Sequence, residues 1–158
     1  MNLSDYLLSQ DGHDWPSLLA EWAEVFPPEF TIWIVNRLGD LVVVLPDGSV
    51  HLLNVGLGSL KRIADSREHF VNAIDEGDNA SQWLAIPLVD ACVASGITLA
   101  VGECYGFKVP PMLGGAYEAS NLEPTSLAVH YGLLGQIHRQ IKDLPDGTPI
   151  RVRTGHDG

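Results

Sequence analysis

Few side chains in this 158-residue chain are equipped for chemistry, and their spacing commits them to none. A thiol beside an imidazole can act as a nucleophile with its base. Cys104 could form such a pair with His130 or His138, but no local pattern brings them together. A lone cysteine at a strand end serves equally well as a small buried apolar residue. The six histidines, His13, His51, His69, His130, His138 and His156, contain no H-E-x-x-H pattern. His130 and His138 lie two helical turns apart, too far to share one metal ion without further ligands. Gly56-Leu57-Gly58 lacks the third glycine of a dinucleotide fingerprint and the Lys-Ser/Thr pair of a phosphate loop. The glycine-rich run from Gly102 to Gly115, with Lys108 inside it, lacks both as well. Carboxylates are abundant, but abundance does not single out an acid–base pair. The expectation is a protein without catalytic residues, bound metal or cofactor.

The carboxylates matter instead as a field. Twenty Asp and Glu face nine Lys and Arg, a formal net charge of -11. Such a surface repels phosphate backbones and argues against direct nucleic-acid binding. It would attract an electropositive protein, although solubility alone also accounts for it. The two cysteines, Cys92 and Cys104, fit neither a zinc spacing nor a disulfide scaffold. The N-terminus has no basic segment before an apolar run. No apolar stretch approaches the roughly 20 residues of a membrane helix. Together these features point to the cytoplasm.

The elements that would position any site are legible in part. At 46% apolar and 18% charged residues, the chain can bury a core as one domain. Leu3, Leu7 and Leu8 read as one face of a short first helix, with Ser4 as its cap. A second helix opens at Trp15-Pro16 and carries Leu18, Leu19, Trp22 and Val25 before Pro27-Pro28 stops it. Thr31–Val35, Leu41–Leu45 and Val50–Leu53 predict an antiparallel meander with a turn at Pro46-Asp47-Gly48-Ser49, and a further short strand falls between Val55 and Ile63. Asp65 or Ser66 caps a helix carrying Phe70 and Ile74. Another runs from Asn79 or Ser81 to Ala94, with Trp83, Leu84, Leu88, Val89, Cys92 and Val93 inward and a kink or restart at Pro87. Leu99-Ala100-Val101 reads as a strand, Gly102–Gly115 as a loop, 125–142 as a helix, Pro145-Asp146-Gly147 as a turn, and Ile150–Arg153 as an edge strand before a mobile tail. The predicted class is α+β: a mostly antiparallel sheet with helices packed on it. Residues 1–28 form a helical lead-in, 29–150 the α+β domain and 151–158 the tail.

Two segments are distinctive: Gly102-Glu103-Cys104-Tyr105-Gly106-Phe107-Lys108-Val109-Pro110-Pro111-Met112-Leu113-Gly114-Gly115-Ala116-Tyr117-Glu118, and Leu133-Leu134-Gly135-Gln136-Ile137-His138-Arg139-Gln140-Ile141-Lys142-Asp143-Leu144-Pro145. With the hairpin near Gly39-Asp40 and the helix from Trp83 to Val93, they resemble the C-terminal domain family of type VI secretion immunity proteins, over about residues 25 to 150. The resemblance implies protection of a bacterium from a toxic DNase effector. Some members carry an extra N-terminal domain related to GAD domains, for which residues 1–28 offer only the helical lead-in. The first segment also has a structural explanation. Its glycines permit turns, and Tyr105, Phe107 and Tyr117 can bury against the last helix, which Gly132 and Gly135 would let approach the sheet.

Two function classes follow. In the first, the chain binds and neutralises a secreted toxin, with the acidic cluster Asp75, Glu76 and Asp78 near a helix end as the partner-binding candidate. That cluster reads equally as a solvated loop. In the second, it is a regulatory or small-ligand binding module with a pocket near Tyr105, Lys108 and His138.

Overall fold

The structure is a computed structural model that describes residues 2–144. The expected turn at 145–147, the edge strand at 150–153 and the tail lie outside the described residues.

The centre is the predicted meander. β1 (Thr31–Val35), β2 (Leu41–Val44), β3 (Val50–Asn54) and β4 (Ser59–Ala64) form one antiparallel sheet in the order β1-β2-β3-β4. The β2–β3 turn is closed by Asp47, whose Oδ1 accepts from the Ser49 backbone N–H at 2.9 Å, with Gly48 at φ +87°. β2 shows why this stretch must be a central strand. All four of its residues are buried, but by alternation they enter two different cores. Leu41 and Val43 join a cluster with Trp22, Leu53, Tyr105, Tyr131 and Leu134, while Val42 and Val44 join Val50, Phe70 and Trp83 on the other face. A continuous apolar run is the signature of a strand covered on both sides.

One cover is helical. α2 (Arg67–Ala73) is capped by Ser66, whose hydroxyl accepts from the His69 N–H at 3.0 Å. α3 (Asn79–Trp83) and α4 (Ile86–Ala94) are the two halves of the expected 79–94 helix. The restart falls at Ala85, which sits at φ +53°, with Pro87 in the first turn of α4. Trp83, Leu84, Val89 and Cys92 are buried as expected, but Val93 is 61% exposed.

The other cover comes from both ends of the chain. Ser126 caps α5 (Leu127–Ile141), which buries Leu127, Tyr131, Leu134 and Ile137. The N-terminal segment packs under it, and here the expected helices are only partly formed. Residues Leu3–Tyr6 make a single 3-10 turn capped by Asn2, not Ser4. Tyr6 is the buried member, its hydroxyl donating to Asp90 Oδ1 at 2.8 Å, and Leu3 is exposed. Leu7 and Leu8 leave the helical path to run beside β1, with a Leu8 N–H to Val35 C=O bond of 2.8 Å. The second helix is one turn, α1 (Trp15–Leu18), followed by a 3-10 turn at Ala20–Trp22. Gly135 lets α5 close on that turn: a Cβ there would lie 2.6 Å from Glu21 Cβ and 2.9 Å from Trp22 Nε1. The close approach at Gly135 is thus to the N-terminal turn and not to the sheet as expected, and nothing lies within 4 Å of a Cβ built at Gly132.

A second, two-stranded sheet replaces the expected strand at 99–101. Val101 is fully exposed, and β5 (Glu103–Phe107) begins after Gly102 at φ +81°, pairing with β6 (Leu122–Ser126). Gly106 is what allows the pairing. The Thr125 side chain crosses it so closely that a Cβ there would meet Oγ1 at 2.2 Å. Pro124 is tolerated because a two-stranded ribbon has only edge strands.

Candidate functional site

The site grows from the turn between β1 and β2. Asn36 Oδ1 accepts from the Leu38 and Asp40 backbone N–H groups at 2.9 and 3.0 Å, an Asx turn that folds the loop on itself. Its Nδ2 donates to Asp40 Oδ2 and to the Trp83 carbonyl, both at 3.2 Å. Asp40 Oδ1 accepts from the Val55 N–H at 3.0 Å, tying the loop to the end of β3. From the other side α5 clasps it. The Tyr131 hydroxyl donates to the Gly39 carbonyl and His130 Nε2 donates to the Leu38 carbonyl, each at 2.7 Å. A carbonyl can only accept, so Nε2 carries the proton. Burial pushes the Asp40 carboxyl up to about 6 and holds the His130 imidazole down at about 4.

Beyond Asp40 a cleft of about 540 Å³ opens between this turn, α3–α4 and the segment at 117–119. Its lining combines the polar Asp40, Asn54, Gln82 and Glu118 with the aliphatic Leu38, Ala85 and Leu88. No Lys, Arg or His among the described residues lines it. Tyr117 closes one side, its hydroxyl donating to Asn54 Oδ1 at 3.3 Å and its ring edge-on to Phe107 at 5.5 Å. Burial, then the charge of Asp40, pushes that phenol up to about 12.

The distinctive segment 102–118 is largely scaffold for this wall. Asn121 is its pin. Its Nδ2 donates to the carbonyls of Val109 and Ala116 at 2.8 and 2.9 Å, and its Oδ1 accepts from the Val109 N–H at 2.9 Å. Gly115 is obligatory there, since a Cβ would lie 1.7 Å from the Val109 carbonyl oxygen. Met112 N–H donates to the Gly56 carbonyl at 3.0 Å, fixing the loop beside the β3–β4 turn. The result is a pinned loop that leaves Val109, Leu113 and Tyr117 exposed, with Leu57 exposed on the turn it leans against. Of the three aromatics expected under the last helix, Tyr105 and Phe107 are buried and Tyr117 is 43% exposed.

Asp75, Glu76 and Asp78 lie together and exposed in the turn between α2 and α3. Asp78 Oδ2 accepts from Gln82 Nε2 at 3.0 Å, which joins that acidic turn to the cleft. Tyr105, Lys108 and His138 stand in three different surroundings. Tyr105 is packed in the core, Lys108 is exposed just past β5, and His138 stacks on Trp22 at 5.2 Å against Gly58. Cys104 is fully buried, and burial pushes its thiol far above the ordinary range, with the nearby Asp40 charge adding to it. A thiol held neutral in this way is no nucleophile. No group of three His, Cys, Asp or Glu among the described residues is arranged to hold a metal ion, and no helix among them is long and apolar enough to cross a membrane. Sequence reasoning passed over Asp40, Asn54, Gln82, Tyr117 and Glu118 as a set. They come from separate segments, and only the Asn36-x-x-Gly39-Asp40 turn carried a local signal.

Residues 64–138 match the family described as T6SS immunity protein Tdi1, C-terminal. The match takes in α2 to α4, both strands of the second sheet and most of α5, and with them the outer wall of the cleft. No curated protein matches the chain.

Proposed function

We infer that this chain, whose residues 64–138 match the T6SS immunity protein Tdi1 C-terminal family, works by binding and neutralising a secreted bacterial toxin and not by catalysis. The family match carries the reading. The buried, neutral Cys104 and the structural engagement of His130 are consistent with a protein that turns nothing over. The finer reading is that the toxin is an electropositive nuclease met in the cytoplasm. It is supported by the net charge of -11, which suits a partner that must itself hold nucleic acid. The face proposed to meet it combines the exposed apolar residues Leu57, Leu113 and Tyr117 with the acidic turn Asp75, Glu76 and Asp78, an apolar centre with a charged rim.

The test is co-expression with the protein encoded beside this gene. That neighbour should arrest growth alone, and growth should return when this chain is present and recoverable in a complex with it. Arrest unrelieved by this chain, with no complex formed, refutes the reading. A regulatory or small-ligand module is the second reading, favoured by the cleft with its converging Asp40, Asn54 and Tyr117. It predicts a small molecule retained through purification and displaced on unfolding.

A further inference from the structure

The cleft holds an electrostatic imbalance that the fold alone does not resolve. Asp40 is more than nine-tenths buried, and each carboxylate oxygen takes one hydrogen bond, from Val55 N–H and Asn36 Nδ2. A carboxylate accommodates about four. No cation pairs with it among the described residues, and burial is the largest influence on its titration. Glu118 lines the cleft as an exposed residue, and Gln82, also in the lining, donates to the Asp78 carboxylate. The walls between, Leu38, Ala85 and Leu88, are aliphatic. A buried carboxylate and an exposed one set among aliphatic side chains suit one kind of side chain: a cation on a long hydrocarbon stem.

We propose that the cleft between the β1–β2 turn, α3–α4 and residues 117–119 receives an arginine side chain of the partner protein, its stem against Leu38 and Leu88 and its guanidinium between Asp40 and Glu118. The proposal rests on the toxin-binding reading and names the contact within it. A guanidinium supplies planar, paired donors to carboxylates and is more weakly hydrated than an ammonium, so it enters a half-dry cleft at lower desolvation cost. Its positive charge would sit where the chain's own net charge of -11 has no counterpart.

The test has two arms. In the first, the affinity of the full chain for the neighbour-encoded protein is compared with that of Gln82→Lys and Glu118→Lys, both at exposed positions where the fold should persist. Each should weaken binding by about tenfold or more, while Asp11→Lys, a surface charge change of the same sign at a residue outside the cleft lining, should weaken it far less. In the second, the amide resonances of the labelled chain are followed with N-acetyl-arginine methylamide, and with the neutral citrulline analogue as control. The arginine probe should move Asp40, Gln82, Ala85, Leu88 and Glu118, and citrulline should not. Wild-type binding with both variants unimpaired overturns the arginine slot and leaves the immunity reading standing. If the wild-type chain binds no neighbour, the immunity reading fails, and the probe decides the slot: shifts scattered over the surface, or equal for citrulline, overturn it.

Discussion

Asp40 and His130 are buried against the same Asn36–Asp40 turn, and burial moves their titrations in opposite directions. For Asp40 the folded value of about 6 lies above the ordinary 3.8, so the folded state holds the proton more tightly than the unfolded chain. Its contribution to stability is present in full below pH 3.8 and is lost as pH rises through 6. His130 runs the other way: its folded value of about 4 lies below 6.5, so stability is lost as pH falls from 6.5 toward 4. Between pH 4 and 6 the two oppose, and the wild-type profile should be flatter than either alone. In Asp40→Asn the Asp40 contribution is removed, and the His130 slope is no longer opposed by it. Urea unfolding from about pH 7 down to about pH 4.5 should show the wild type gaining roughly 2 kcal/mol on this variant, since a tenfold change in proton affinity is worth about 1.4 kcal/mol. A pH-independent gap would mean that the Asp40 carboxyl is not titrating in the fold. Gly39 in the same turn should be as intolerant. It sits at φ +81°, and a Cβ would lie 2.8 Å from the His130 ring. Gly39→Ala should therefore cost on the order of 2–4 kcal/mol in the same assay.

Among the elements, α5 and the α3–α4 junction make contrasting demands. Leu134 is only 2% exposed at the centre of α5, between the N-terminal turn and the sheet. Leu134→Ala should cost roughly 2–5 kcal/mol, read as a shift in denaturant midpoint without a change in slope. Ala85, by contrast, holds a left-handed conformation that an L-residue adopts at a cost of about 1–2 kcal/mol. Ala85→Gly should relieve part of that and raise stability by about 0.5–1 kcal/mol. A loss would show the alanine methyl to be worth more as cleft wall than as strain. These two elements also mark how far the sequence could be read. α5 was legible because its apolar residues recur at helical spacing. The meander was legible because β-branched runs flank a Pro-Asp-Gly-Ser turn. β5 and β6 were not, because Gly106 and Pro124, the residues that make that pairing fit, are the ones that argue against a strand in isolation. The expected restart within 79–94 is present but falls at Ala85, just before Pro87, on an alanine whose backbone sign no propensity announces. The cleft was illegible for a simpler reason: Asp40, Gln82 and Glu118 become neighbours only through the packing of separate turns and helices.

On the scale of the molecule, the surface charge governs approach and the core governs persistence. If the acidic turn faces the toxin, association should be fast at low salt and slow steeply as salt rises, since exposed charges are screened beyond about 8 Å at physiological ionic strength. Asp75→Lys and Glu76→Lys should lower the on-rate with little change in off-rate, and Tyr117→Ala should raise the off-rate instead, all measurable by stopped-flow or surface-binding kinetics. An on-rate indifferent to both salt and these charges would remove the acidic turn from the interface. Persistence depends on two distant stretches of the chain meeting. Trp22 Nε1 donates to the Tyr131 carbonyl at 2.9 Å, and Glu21 and Glu24 form ion pairs with Arg139 and Lys142. A ribosome delivers the first of these partners well before the second. Until α5 emerges, then, Leu19 and Trp22 have no helix to close over them, and the nascent chain carries an adhesive patch that only this late element can cover. A chain cut short before α5 would keep that patch exposed, and the yield of folded protein would then follow how many ribosomes get past α5, not how many begin.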